Sequence, residues 1–220
     1  MSLVREPASS TALLWTRRGV QLAVGLVAYG LAIGVMLRAG IGVAPWDVLA
    51  QGITRQTGLS FGLVAVIVGA LVLLLWIPIR QRPGIGTVLN ILVIGPAAEL
   101  GLWLVPQQTV PWMQGLVFAG GLALLALATG LYVGARLGPG PRDGLMTGIH
   151  ARFGWPIWAV RTGIEVTVLA IGFVLGGQVG IGTLAFALLI GPMVNVTLPL
   201  LRVPDPPAAA VPGSARKVPA

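Results

Sequence analysis

The sequence has no cysteine. Disulfides, thiolate metal sites and thiol nucleophiles are therefore excluded together. It has one histidine, His150, which cannot build a histidine-based metal site alone. Only six residues are Asp or Glu, and charged residues of both signs make up 9% of the chain, against about 25% in an ordinary soluble domain. No paired carboxylates, phosphate-binding loop or nucleophile elbow is evident. Gly84-Ile85-Gly86 lacks the third glycine of a dinucleotide fingerprint, and no strand precedes it. The expectation is a protein that is not an enzyme and holds no cofactor.

What the chain has in abundance is apolar sequence, at 56% of its residues. The apolar runs are roughly 20 residues long, enough as helix to cross about 30 Å of hydrocarbon. A net charge of +8 raises nucleic acid as a partner. The charges sit in short segments between apolar runs, however, and no basic face or aromatic platform accompanies them, so no nucleic acid is expected.

The runs are also repeated. Residues 84–96 read Gly-Ile-Gly-Thr-Val-Leu-Asn-Ile-Leu-Val-Ile-Gly-Pro, and residues 180–192 read Gly-Ile-Gly-Thr-Leu-Ala-Phe-Ala-Leu-Leu-Ile-Gly-Pro. Eight of these thirteen positions are identical at an offset of 96. At the same offset, 138–154 matches 42–58 at seven of seventeen positions, including Pro45/Pro141, Asp47/Asp143 and Gly58/Gly154. A repeat of this length without gaps marks a duplicated membrane unit.

Each copy reads as three spans and one short helix. The spans are expected at about 19–37, 60–79, 87–105, 115–135, 156–175 and 182–201. Pro45 and Pro141 suit the first turn of a helix, which needs no N–H there. About twelve residues follow before a glycine, which is about 18 Å of helix and too short to cross. These pieces are half-helices, either re-entrant or interfacial. Gly95-Pro96 and Gly191-Pro192 fall inside the third and sixth spans, where proline predicts a kink or break. The expected fold is all-α transmembrane, with six spanning helices in a 3+3 inverted repeat, two half-helices and Gly-Pro-broken third and sixth spans. The expected divisions are a cytoplasmic segment 1–18, a first membrane repeat 19–105, an extracytoplasmic connector 106–114, a second repeat 115–201 and a cytoplasmic disordered tail 202–220.

Three spans per copy is an odd number, so the second copy must enter the membrane from the opposite side. With the N-terminus inside, eleven basic residues fall on inner segments: Arg5, Arg17, Arg18, Arg80, Arg82, Arg136, Arg142, Arg152, Arg202, Arg216 and Lys217. Outer loops carry only Arg38 and Arg55. That bias places both termini in the cytoplasm.

Gly42-x-x-Pro45-Trp46-Asp47-Val48-Leu49, followed by Arg82-Pro83-Gly84-Ile85-Gly86-Thr87 and a span, resembles the YczE/YitT-like family of bacterial integral membrane proteins over about residues 17–202. The resemblance implies a multispan protein of the bacterial cytoplasmic membrane. It carries over no catalytic residues.

The candidate substrate or ion site is Glu99, Asn195, Asp47 and Asp143. Glu99 lies three residues past Pro96, and Asn195 occupies the same place past Pro192. An ionisable group within a span is costly, about 2.5–3.5 kcal/mol on insertion scales, and marks a pathway or a paired structural charge. Glu99 is the candidate for proton or cation coupling; the structural alternative has it cap its own helix half after the proline. Asp47 and Asp143 either stabilise the first turn of their own half-helix or act as latch or ligand. Secondary candidates are Arg161 and Glu165, spaced to pair on one helix face, and Asn90, whose structural role would be a helix–helix hydrogen bond. Thr87 and Thr183 read as helix caps.

The expected function is a small secondary transporter or permease for a small solute or ion, with its site at the repeat interface. The alternative is a membrane scaffold or regulatory factor acting through a protein partner, with a packed, polar-free centre. Expected partners are the lipid bilayer, a small-molecule or ion substrate, and a second copy of the chain.

Overall fold

A computed structural model describes residues 8–203. The expected segments 1–7 and 204–220, with Arg5, Arg216 and Lys217, lie outside the described residues. Those described form nine helices and no strand: α1 (Ala8–Ala39), α2 (Pro45–Thr57), α3 (Phe61–Leu74), α4 (Trp76–Ile79), α5 (Ile85–Leu104), α6 (Pro111–Gly134), α7 (Pro141–Phe153), α8 (Ile157–Val174) and α9 (Ile181–Leu201). Six spans within them are long and apolar enough to cross a membrane: Leu13–Ala39, Phe61–Ile79, Ile85–Leu104, Pro111–Gly134, Ile157–Val174 and Ile181–Leu201. The first begins earlier than the apolar run suggested, because the helix continues through Arg17 and Arg18. There Arg18 lays its guanidinium over the Trp15 ring, 5.6 Å from the centroid.

Two expectations about local structure divide. The half-helices α2 and α7 have thirteen residues each, start on Pro45 and Pro141, and end before Gly58 and Gly154. Both glycines sit at φ 72°, the left-handed cap that only glycine adopts without cost. The Gly-Pro breaks are corrected: α5 runs unbroken through Pro96, and α9 through Pro192 and Pro199. One missing N–H removes a single backbone bond. In lipid, abandoning the helix would leave several polar groups without partners, so it resumes at once.

Small residues set the packing. The Cβ that Gly25 lacks would meet the backbone of Tyr132, and that of Gly121 would meet Met36. These contacts run α1 and α6 antiparallel along one another through the centre of the bundle. Gly30 and Gly34 let α5 press onto α1 at Ala97, Ala98 and Gly101, and Gly130 receives Thr197 of α9 on α6. Each half-helix then packs against a span of the other copy, α2 on α8 and α7 on α3. The cross-connection is reciprocal in hydrogen bonds too. Gly86 N–H donates to Leu137 O at 2.9 Å, and Gly182 N–H, 96 residues on, donates to Ile41 O at 2.8 Å. Thr87 and Thr183 close the adjacent helix starts by accepting from Gly84 and Gly180 N–H, at 3.2 and 3.4 Å.

The arginine bias reaches into the backbone. Arg80 and Arg136 are the two non-glycine residues at positive φ among those described, at 57° and 58°. Their counterparts at the 96-residue offset are Gly176 and Gly40, both also left-handed. The turn thus asks for glycine at all four places, and two carry arginine at a cost of roughly 1–2 kcal/mol each. Replacing exposed Arg80 with glycine is expected to stabilise the purified protein by about 0.5–1 kcal/mol, part of the relief being offset by the freer unfolded chain. Thermal unfolding in detergent checks this; an unchanged or lowered midpoint would show that Arg80 is held by more than charge bias.

Candidate functional site

The two half-helices bring their N-termini together. Pro45-Trp46-Asp47 opens α2 and Pro141-Arg142-Asp143 opens α7. Arg142 reaches across and places Nη2 and Nη1 at 3.4 and 3.5 Å from Asp47 Oδ1. Its Cζ also lies 5.2 Å from the Trp46 ring centroid. Trp46 and Arg142 are equivalent positions of the two copies, so this position touches its own counterpart. Two arginines there would repel; tryptophan against arginine gives a cation–π contact. Asp47 is 4% exposed, and a carboxylate that deep needs the cation beside it. Neither Asp accepts a capping bond from its own helix start. Asp143 instead accepts from the Tyr132 hydroxyl at 2.9 Å, and Tyr132 stands edge-on to Tyr29 at 5.6 Å between centroids.

Beside this junction lies a cavity of 320 Å³, whose wall includes Tyr29, Trp46, Tyr132, Arg142, Asp143 and Asn195. An adjoining cavity of 500 Å³ shares Pro45, Arg161, Glu165, Phe186, Ile190 and Gly191 with it. Together they fill the space between α8 and α9, which hardly approach one another. Arg161 and Glu165 form the expected pair on this wall, Nε to Oε1 at 2.9 Å.

The equivalent space between α3 and α5 is shut. Gly62 and Gly95 meet so closely that a Cβ on either would lie 2.4–2.6 Å from the other's carbonyl oxygen. Gly69 packs against Ile91, and the cavity left beside Ala65 and Asn90 is 30 Å³. The counterparts of Gly62, Ala65 and Gly69 in the second copy are Trp158, Arg161 and Glu165. A glycine–alanine–glycine face lets α3 and α5 touch; the second copy has tryptophan, arginine and glutamate at the same places, and Arg161 and Glu165 stand in the space between α8 and α9.

The expected site residues therefore separate. Asn195, Asp143, Arg161 and Glu165 line the 320 Å³ cavity, and Asp47 backs it through Arg142. Glu99 does not line it. Its Oε1 accepts from Gly62 N–H at 2.6 Å, in the first turn of α3. Since α5 never breaks, Glu99 has no new helix start of its own to cap, and it serves its neighbour's. Asn90 lines the small cavities near Gly140, without the expected cross-helix bond among the described residues. Sequence reasoning missed Tyr29, Tyr132 and Trp46. The two tyrosines are the only ones in the chain, but nothing local to residues 29 and 132 announces that both stand at the half-helix junction.

A family of unknown function, DUF6198, matches residues 16–199. An "Uncharacterized protein" of Haemophilus influenzae is 37% identical over 198 residues, covering 88% of this chain and 91% of that one. The "Uncharacterized membrane protein YczE" of Bacillus subtilis is 33% identical over 175 residues, 79% and 81% of the two chains. The "Uncharacterized protein YyaS" of the same organism is 26% identical over 184 residues, 81% and 90%. No solved structure matches.

Proposed function

The chain belongs to a YczE-like family of membrane proteins, DUF6198, and from that premise we propose that it is a small permease whose solute site is the cavity between α8 and α9. The observation that carries this is the position of that cavity. It lies among membrane-length helices, yet Arg142 and Asp143 from the start of α7, Trp46 from the start of α2 and the hydroxyl-bearing Tyr29, Thr129 and Tyr132 of α1 and α6 line it. Half-helices that end inside a bundle put polar backbone and side chains where a solute must shed water, which is how transporters build central sites. The cavity touches Asn195 but not Glu99, half of the pair expected at a permease's site, and it argues against the packed, polar-free centre expected of a scaffold.

In this reading the two copies form an inverted repeat in the bacterial cytoplasmic membrane, with both termini in the cytoplasm. The antiparallel α1 and α6 and the reciprocal Gly86–Leu137 and Gly182–Ile41 bonds support the inversion. The arginines at left-handed turns support the orientation. Asp143 is the ligand-facing carboxylate. Glu99, through Gly62, is a latch that keeps the α3–α5 side closed.

Proteoliposomes containing the full chain test this, challenged with gradients of methylammonium and acetate, read by an internal pH-sensitive dye, and of neutral polyols, read by light scattering as the vesicles swell. One class is expected to equilibrate faster than in empty vesicles. Asp143→Asn is expected to abolish the excess rate, and Glu99→Gln, which keeps the acceptor oxygen, to preserve it. No excess rate for any class from correctly inserted protein would overturn the permease reading. Loss of flux with Glu99→Gln at unchanged thermal stability would return Glu99 to the solute path.

A further inference from the structure

The permease reading leaves the route into the cavity and the chemistry of its ligand open, and the difference between the two copies addresses both. The two adjoining cavities reach from the half-helix starts to the space between α8 and α9, and on the first copy's side the equivalent space is closed by Gly62 against Gly95. The second copy cannot close the same way, because Trp158, Arg161 and Glu165 stand where closure needs glycine, alanine and glycine. Gly191, the counterpart of Gly95, has nothing within 4 Å of where its Cβ would be. The opening is written into side-chain volume and lies between the two least buried of the six spans.

Charge accounting defines the ligand. Four ionised side chains line the 320 Å³ cavity: Arg142, Asp143, Arg161 and Glu165. Arg161 is matched by Glu165, and Arg142 by Asp47 from behind the wall. Asp143 remains, with a tyrosine hydroxyl as partner and no cation. The α7 dipole favours a carboxylate in its first turn, but a helix start is worth only about half an elementary charge. One negative charge is thus left facing the cavity. The adjoining 500 Å³ cavity adds apolar wall, with Val166 and Leu169 on α8 and Phe186 and Ile190 on α9 beside the Arg161–Glu165 pair.

We infer that the α8–α9 gap is a lateral doorway for a membrane-dissolved amphiphile with a cationic head: the head pairs with Asp143 beside Trp46 and Tyr132, and the chain trails between α8 and α9 into lipid. This rests on the cavity being the permease's site, and it names the ligand class and the path of entry. A carboxylate with a cation in reach gains a charge-assisted hydrogen bond, while the apolar chain never leaves a lipid-like environment. A small hydrophilic amine would make the first contact and gain nothing from the second.

The full chain in phosphatidylcholine nanodiscs, labelled with a dodecylamine carrying a terminal photoactivatable diazirine, tests this by site of attachment rather than by flux. Labelled peptides are expected from α8 and α9 and not from α3 and α5. Unlabelled dodecylamine should displace the probe, with dodecyl sulfate and butylamine each weaker by about tenfold or more. Asp143→Asn should weaken displacement about tenfold, the loss of one charge-assisted contact. The combined Trp158→Gly, Arg161→Ala, Glu165→Gly change should remove the α8–α9 labelling; Gly191→Phe, which only fills open space, should do the same if the triple variant fails to fold. Labelling spread evenly around the bundle would mean simple partition into lipid and overturn the inference. So would equal displacement by dodecyl sulfate, or α8–α9 cross-links to a second copy that dodecylamine leaves unchanged. Displacement by butylamine as strong as by dodecylamine would overturn the lateral route while leaving the permease reading intact, whereas specific labelling without flux would do the reverse.

Discussion

Replacing Arg142 with alanine is expected to cost about 3 kcal/mol of stability, the low end for stranding one member of a buried ion pair. The Asp47 side chain is 5% exposed and that of Arg142 27%. Removing the guanidinium leaves a largely buried carboxylate without its counter-charge. The N···O separations of 3.4 and 3.5 Å are long for a direct charge-assisted bond. The penalty therefore comes chiefly from the stranded charge rather than from a lost hydrogen bond. That gives the prediction a sharp form. The double change Arg142→Met with Asp47→Asn should restore most of the loss, because the amide can be buried without charge and methionine can still cover Trp46. Chemical unfolding of the three proteins in detergent checks it. A double variant no better than Arg142→Ala would show that the half-helix tips are held by packing against Trp46 and not by charge compensation.

The architecture was readable where both copies need the same residue. Half-helix starts need proline, left-handed ends need glycine, and span starts need a threonine that folds back on the preceding amide, so these recur at an offset of 96. The site was readable only in part. Asp47 and Asp143 were picked as a pair of helix-start carboxylates, but each finds its partner on another element, Arg142 and Tyr132. No local pattern announces a contact between residues 95 or 11 positions apart. Glu99 drew attention because a carboxylate within a span demands an explanation. The explanation is an N–H on α3, 37 residues earlier, that a reading of α5 alone has no means to supply. Pro96 was given too much weight: a proline deletes one bond, and the cost of breaking a helix in lipid exceeds the cost of tolerating it. The most informative comparison was present in the sequence but lies in unlike residues. Gly62 against Trp158, Ala65 against Arg161 and Gly69 against Glu165 say which side of the bundle closes.

That comparison leads to the second large effect. Gly95 and Gly191 stand in the same tripeptide, Ile-Gly-Pro, inside the same kind of span. Helix propensity alone predicts the same gain of up to about 1 kcal/mol for alanine at either place. The surroundings differ completely. A methyl on Gly95 would lie 2.4 Å from the carbonyl oxygen of Gly62, which is backbone and cannot rotate away. To relieve it α3 must move off α5, which also pulls Gly62 N–H from Glu99. Overpacking of this kind costs about 1–3 kcal/mol and more where backbone is the obstacle, so Gly95→Ala is expected to lose about 3 kcal/mol after its propensity gain. Gly191→Ala adds a methyl to open space and is expected to be neutral or stabilising by up to about 1 kcal/mol. Thermal unfolding of the two variants side by side measures the difference. Equal midpoints would mean that α8 and α9 do close on one another as α3 and α5 do, and the side opening on which the ligand's route depends would be lost with it.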